Sequence, residues 1–304
     1  MSEPNLDVEA REEPAVSPAL MLTIAILAIS MAAIFIRKAD APPLFVAFGR
    51  CFVSTAVLLP FAARRFAREF KTIPKRSRNF ALLAGALLGC HFAAWISSLS
   101  FSSVASCVLL TNTTPIWTAL LMPLITHDRI SSRVKWGIFV SFLGVLVIGV
   151  PAAAAGDSTW KGDALAISAA IFAALYLLSG SRARTHFSIT SYLLVCYGTA
   201  TVVLFGAVLA SGTPLTGYSY ETLGWVAMLG LVSQLIGHST FNWALRYVSA
   251  AVVSLSLLTE PILTAAWAWL LLNEPPTATV VVGGGIVLVG VWVATRPSAS
   301  TVSP

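Results

Sequence analysis

Residues Ser103–Thr126 read SVASCVLLTNTTPIWTALLMPLIT, and residues Ser249–Leu272 read SAAVVSLSLLTEPILTAAWAWLLL. A shift of 146 residues lays one stretch on the other. Ser103 then falls on Ser249, Ala105 on Ala251, Leu109 on Leu255, Thr113 on Thr259, Pro115 on Pro261, Ile116 on Ile262, and Thr118–Ala119 on Thr264–Ala265. The register continues without a gap from Leu99/Leu245 to Asp128/Glu274, Gly137/Gly283 and Gly144/Gly290. A proline, an acidic loop residue and two glycines do not share one register by chance. The chain is a duplication of a unit about half its length.

Each copy is an apolar run with a proline inside it, and the rest of the chain is built the same way. At 57% hydrophobic and 11% charged, the composition is far from that of a soluble domain, whose charged share is about 25%. A helix crosses the hydrocarbon core with about 20 apolar residues. Runs of that kind lie at 18–38, 42–62, 79–100, 103–126, 133–151, 161–182, 189–210, 221–244, 250–272 and 276–296. Turn chemistry separates them, at Ala41-Pro42-Pro43, Pro151 to Asp157, Gly212-Thr213-Pro214 and Asn273-Glu274-Pro275-Pro276. The expectation is an all-α membrane protein of ten transmembrane helices, with 18–151 as the first five-helix repeat and 161–296 as the second.

The basic residues set the orientation. Arg64, Arg65, Arg68, Lys71, Lys75, Arg76 and Arg78 follow the second run, and Arg129, Arg133, Lys135, Arg182, Arg184 and Arg246 follow the fourth, sixth and eighth. Arg296 follows the tenth, whereas the opposite side holds only Arg37, Lys38 and Lys161. Lys/Arg-rich loops stay in the cytoplasm, so both termini are expected there. Five spans is an odd number, and the two halves would therefore cross the bilayer in opposite senses. Inverted repeats of this kind characterise secondary transporters, whose substrate site lies near the midplane between the repeats.

Residues 1–17 carry five acidic residues against Arg11 and read as a disordered cytoplasmic tail, with 297–304 as a second. Their charge is the wrong sign for a secretory leader. Cys51, Cys90, Cys107 and Cys196 all sit in apolar runs and read as small core residues rather than a disulfide framework. The net charge of +6 belongs to the cytoplasmic loops and does not indicate a nucleic-acid partner.

TPIWTALLMPLITHDR and TEPILTAAWAWLLLNEP, each followed by a helix with glycines seven residues apart, resemble the two EamA repeats of the drug/metabolite transporter superfamily. The resemblance covers 18–296. It implies a basket of ten helices around a central cavity, alternating access, the bacterial inner membrane, a monomer, and small-molecule substrates. The chain length and layout resemble the amino acid exporters of that superfamily, of the YddG aromatic type. His127-Asp128 stands where the family usually has Gly-Glu, so that loop carboxylate is given no role.

Ionisable residues inside spans mark function because burying them is costly. His91 lies mid-span, and His238 occupies the counterpart position of Phe92, one place from His91. The competing reading for each is a hydrogen-bonded core histidine. Arg50 has the alternative of reaching water at the outer rim. Glu260 is the candidate for proton coupling, against a structural role beside Pro261, which leaves a carbonyl one turn earlier unpaired.

Helical spacing groups His91 with Trp95, and Gln234 with His238, Phe241 and Asn242. Asn112 and Trp117 flank Pro115, and Tyr176 is in the middle of the sixth run. Together they suit a cavity wall for amino acids or for aromatic and cationic drugs; the alternative is that the rings fill core or lipid-facing space. The expected substrate-binding set is His91, Trp95, Asn112, Trp117, Tyr176, Gln234, His238 and Phe241.

No cofactor or metal is expected. An enzyme would need a convergent His/Glu constellation, and His91, His238 and Glu260 lie on different spans without metal-ligand spacing. No GxxxxGK[ST] motif is present for ATP-driven transport, and no filter-like loop or charged ring for a channel. The runner-up is a metabolite exchanger for sugar nucleotides or phosphate esters, which would call for several mid-membrane cations where only Arg50 qualifies.

Overall fold

The computed structural model describes residues 14–126, 128, 130–154, 159–272 and 275–295. Residues 1–13 and 297–304 of the two expected tails, with His127, Arg129, Glu274 and Arg296, lie outside the described residues.

Every regular element among the described residues is helical. The first half comprises α1 (Pro18–Ser30), α2 (Ala32–Ala39), α3 (Pro43–Glu69), α4 (Lys75–Ser98), α5 (Val104–Thr111), α6 (Thr114–Ile125) and α7 (Ser132–Ala154). The second comprises α8 (Trp160–Arg184), α9 (Ile189–Ser211), α10 (Tyr220–Met228), a π-helical stretch Leu229–His238, α11 (Ser239–Ala244), α12 (Ala250–Ser256), a 3-10 turn Leu257–Thr259, α13 (Glu260–Leu272) and α14 (Ala278–Thr295). An apolar medium offers the backbone no water to bond, so a spanning segment must satisfy its own N–H and C=O groups.

Nine helical stretches among the described residues are long and apolar enough to cross a membrane. They match nine of the ten expected runs. The expected eighth run, 221–244, is helical from Tyr220 to Ala244 but is not one uniform helix. Its middle unwinds to π geometry, a local widening frequent at functional sites that a uniformly apolar sequence does not announce.

Three other spans are broken near their middles: at Met31 between α1 and α2, at Asn112–Thr113 between α5 and α6, and at the 3-10 turn before α13. The last two breaks are repeat counterparts with a common cause. Pro115 and Pro261 each withhold an N–H from the carbonyl four residues earlier. Thr114 Oγ1 donates to that carbonyl, Thr111 O, at 2.7 Å. In the second half the N–H of Glu260 turns to the equivalent carbonyl of Leu257. Thr113 Oγ1 bonds Leu110 O at 2.6 Å, and its counterpart Thr259 Oγ1 bonds Ser256 O at 2.7 Å. The helix starts also correspond: Ser103 Oγ accepts from Ser106 N and Ser249 Oγ from Val252 N, each a side-chain N-cap.

α4 packs along α8 and α9, α3 along α9, and α1 along the π stretch, α11 and α13. α7 and α14 cross antiparallel through glycines. A Cβ on Gly144 would stand 2.5 Å from Gly283 O, and one on Gly137 2.7 Å from Gly290 O. The reverse approaches are 2.6 Å (Gly283 to Gly144 O) and 2.7 Å (Gly290 to Gly137 O). Close backbone packing of this sort holds helices together where lipid removes the hydrophobic driving force. Between the glycines, Ser141 Oγ donates to Val287 O at 3.1 Å, a bond between residues 146 apart.

The packing of the two halves is unequal. α6 lies against α12, whereas the counterpart pair α5 and α13 shows no comparable packing among the described residues. A cleft of about 290 Å³ remains at the α6/α12 end, lined by Met122, Asp128, Ser131, Ser249 and Ala251 among others.

Candidate functional site

The site is organised by the approach of α3 to the π stretch. Gly230 allows it: a Cβ there would stand 2.8 Å from Val53 Cβ and 3.0 Å from Arg50 O. Ser54 Oγ sits 2.8 Å from both Arg50 O and Gly230 O, tying the two backbones. One turn on from Gly230, Gln234 Oε1 accepts from Arg50 Nε at 3.1 Å. The Arg50 guanidinium also lies over the Phe92 ring, 3.8 Å from its centroid. Arg50 is 1% exposed and Gln234 is fully buried. The outer-rim alternative for Arg50 is therefore overturned: its head points into the protein.

Phe92 joins this pair to the histidines. Its ring meets His238 edge to face at 5.3 Å and 86°, and His238 also stands 6.4 Å from Phe241 and 6.5 Å from Tyr176. Tyr176 Oη donates to Asn242 Oδ1 at 2.8 Å, and Asn242 Nδ2 donates to His238 O at 2.8 Å. That buried chain fixes the end of the π stretch. His91 bonds the Ala169 carbonyl through Nδ1 at 2.9 Å, which places the proton on Nδ1, and stacks with Trp95 at 6.4 Å.

His91, Trp95, His238 and Glu260 are half-buried and keep accessible surface. Arg50 and Glu260 are within electrostatic reach of each other, but the ion pair found among the described residues is elsewhere, between Arg65 and Glu69 at the end of α3.

Of the residues expected at the site, His91, Trp95, Tyr176, Gln234, His238 and Phe241 are gathered around Phe92. Tyr176, Gln234 and Phe241 are buried and hold the others in place. Trp117 is half-buried and spends its indole N–H on Thr113 Oγ1 at 3.1 Å. Neither it nor the buried Asn112 makes a ring contact or side-chain hydrogen bond with the histidine group among the described residues. Sequence reasoning missed Phe92, one more phenylalanine in an apolar run. Its signal was its register: it is the counterpart of His238. Among the described residues no three His, Cys, Asp or Glu side chains gather as a metal site.

The model of the EamA-like transporter family matches residues 16–150 and again 160–296. The chain belongs to that family. Two EamA repeats account for the duplication and for all the spans, and the protein is a multi-pass membrane transporter. An uncharacterized transporter of Archaeoglobus fulgidus is 25% identical over 282 residues, covering 91% of this chain and 96% of its own. The transporter YdfC of Bacillus subtilis is 26% identical over 256 residues, with 82% and 80% covered. The pseudopaline exporter CntI of Pseudomonas aeruginosa is 24% identical over 277 residues, with 90% and 94% covered. A crystal structure superposes at a TM-score of 0.74 with 18% identity over 91% of this chain and 96% of the other, a likeness of fold. These relatives are transporters, which points away from an enzyme.

Proposed function

We propose that this EamA protein is a ten-span secondary transporter of the bacterial inner membrane, a monomer with both termini cytoplasmic, that exports amino acids, aromatic ones among them. The observation that carries the reading is the cluster of half-buried His91, Trp95, His238 and Glu260 around Phe92, rich in aromatic rings and poor in polar groups. Such a surface suits small amphipathic solutes. Specificity is broad, because rejecting a close relative needs buried polar groups that only one substrate satisfies. Trp117 and Asn112 belong to the same pathway on the α5/α6 side, at the break in that span.

The inverted arrangement of 18–151 against 161–296 is supported by the antiparallel crossing of the counterpart helices α7 and α14. Alternating access is supported by the unequal packing of α6/α12 and α5/α13: one end is drawn together and its counterpart is not. Discontinuous spans are where transporters built from repeats place their cargo. The export direction has a precedent in the pseudopaline exporter.

The uncompensated Arg50 charge favours one alternative, an exchanger for sugar nucleotides or phosphate esters. Such cargo calls for several cations, and Arg184, the other buried arginine of the described residues, is engaged by the Asn242 and Phe187 carbonyls at the end of α8. Counterflow in liposomes separates the two. Preloading with phenylalanine, tryptophan or threonine drives uptake of labelled phenylalanine, whereas a nucleotide sugar or phosphate ester does not. Exchange driven only by phosphate compounds overturns the amino acid reading.

A further inference from the structure

The buried guanidinium of Arg50 is not explained by the fold around it. A charged arginine at membrane depth costs about 2.5–3.5 kcal/mol on insertion scales, and a buried charge is retained when it is paired. Here the pairing is incomplete. Nε is spent on Gln234 Oε1 and the face rests on Phe92, but the two terminal nitrogens have no hydrogen-bond partner among the described residues, and Glu260 acts only from a distance. Gln234 is incomplete too. The Arg50 bond fixes its Oε1 as the acceptor, which leaves Nε2 buried with no partner. Two neighbouring side chains, both at least nine-tenths buried, thus present unused N–H groups side by side.

We infer that the outer edge of the Arg50 guanidinium and the Gln234 amide form the receptor for a carboxylate group of the cargo. A guanidinium presents parallel N–H donors in a rigid fork that matches the two oxygens of a carboxylate. The Phe92 ring fixes the plane of that fork, and Gln234 Nε2 adds a donor beside it. Charge favours a single carboxylate over a doubly ionised phosphate. One guanidinium balances one negative charge and leaves the second charge of a doubly ionised phosphate uncompensated. The site lies among the half-buried His91, His238 and Glu260, so a carboxylate there leaves the rest of an amino acid against those side chains. This deepens the transport reading and rests on it.

The test compares L-phenylalanine with L-phenylalaninamide and phenethylamine, which share its ring and amine but carry no carboxylate. Succinate and phenyl phosphate complete the panel. Binding is read from the thermal shift of the detergent-solubilised full chain, and transport from counterflow. Wild-type protein binds phenylalanine about 10- to 100-fold more tightly than its amide, the range expected for a charge-assisted hydrogen-bonded pair. In Arg50→Gln that preference disappears. In Gln234→Glu a built-in carboxylate occupies the fork; the melting temperature is at least that of wild type, and phenylalanine binding falls by the same factor.

If Arg50→Gln does not fold, the wild-type comparison and Gln234→Glu decide. The inference is overturned by equal binding of acid and amide in wild type, by a retained acid preference in folded Arg50→Gln, or by unchanged acid binding in Gln234→Glu. It is overturned equally if no carboxylate of the panel binds, or if only phenyl phosphate does. Binding of succinate but no amino acid, lost in Gln234→Glu, keeps the receptor and removes the amino acid reading. Transport of acid and amide alike does the reverse.

Discussion

Phe92 and His238 stand edge to face with their ring centroids 5.3 Å apart, and they are the same position in the two repeats. Thr55 and Thr201, whose hydroxyls are 3.1 Å apart, are also counterparts, as are Ser141 and Val287. A residue meets its own counterpart only near the axis that relates the halves. In the proposed inverted arrangement these three pairs trace that axis through spans two and seven, three and eight, and five and ten. The candidate site sits on it and is not symmetric: the counterpart of Arg50 is Cys196 and that of Gln234 is Leu88. One half supplies the cation and the other half the amide.

Phe92 is the platform for the Arg50 guanidinium. Phe92→Leu keeps an apolar side chain and removes the ring face. A desolvated cation–π contact is worth about 2 kcal/mol, so cargo affinity should fall by up to that amount while Phe92→Tyr retains most of it. Thermal-shift titration of the two variants with phenylalanine measures the difference.

The α7/α14 crossing depends on the absence of side chains at Gly144 and Gly283. Gly144→Leu drives a side chain into the Gly283 backbone and should cost about 1–3 kcal/mol or more, since overpacking forces backbone shifts. Gly285, on the same α14, has no atom within 4 Å of an added Cβ. Gly285→Ala is therefore tolerated. Apparent melting temperatures in detergent should fall for the first variant and hold for the second.

Trp95 and Trp117 are half-buried, and each offers ring area to a cargo. Trp95→Ala and Trp117→Ala should weaken transport of phenylalanine and tryptophan more than that of threonine, because area is lost and no charge partner is. Tyr176 is a poorer probe, since its hydroxyl holds Asn242 and its removal leaves a buried acceptor unpaired, at about 1–3 kcal/mol. Competition curves for large and small amino acids in folded variants give the comparison; equal losses would speak against cargo contact.

Glu260 lies beside Pro261, where its backbone N–H serves the Leu257 carbonyl. Glu260→Gln keeps that bond and the side-chain shape. Downhill counterflow should survive in this variant. Loss of uphill transport alone, measured against an imposed proton gradient, assigns the carboxyl to coupling; loss of both modes places it on the cargo.

The proposed orientation puts the turn between α3 and α4 in the cytoplasm. Lys71→Cys in a cysteine-free background should react with an impermeant maleimide in inside-out vesicles and not in intact cells. Labelling from outside would reverse the topology.

The sequence by itself determined the duplication, the apolar runs and the prolines shared by two counterpart spans. Those features follow from local chemistry: a backbone in lipid must bond within its own segment, and Pro115 and Pro261 each remove one N–H from that ladder. Only the tertiary structure decided that the 229–238 segment adopts π geometry, that Arg50 turns inward to Gln234, and that Phe92 rather than Trp117 stands at the centre of the histidine group. Each of these depends on which helix faces meet across long stretches of chain, here set by the close approach of α3 at Gly230. In an apolar sequence nearly every face is compatible with burial, so composition gives no preference among the faces; shape complementarity at the small residues makes the choice.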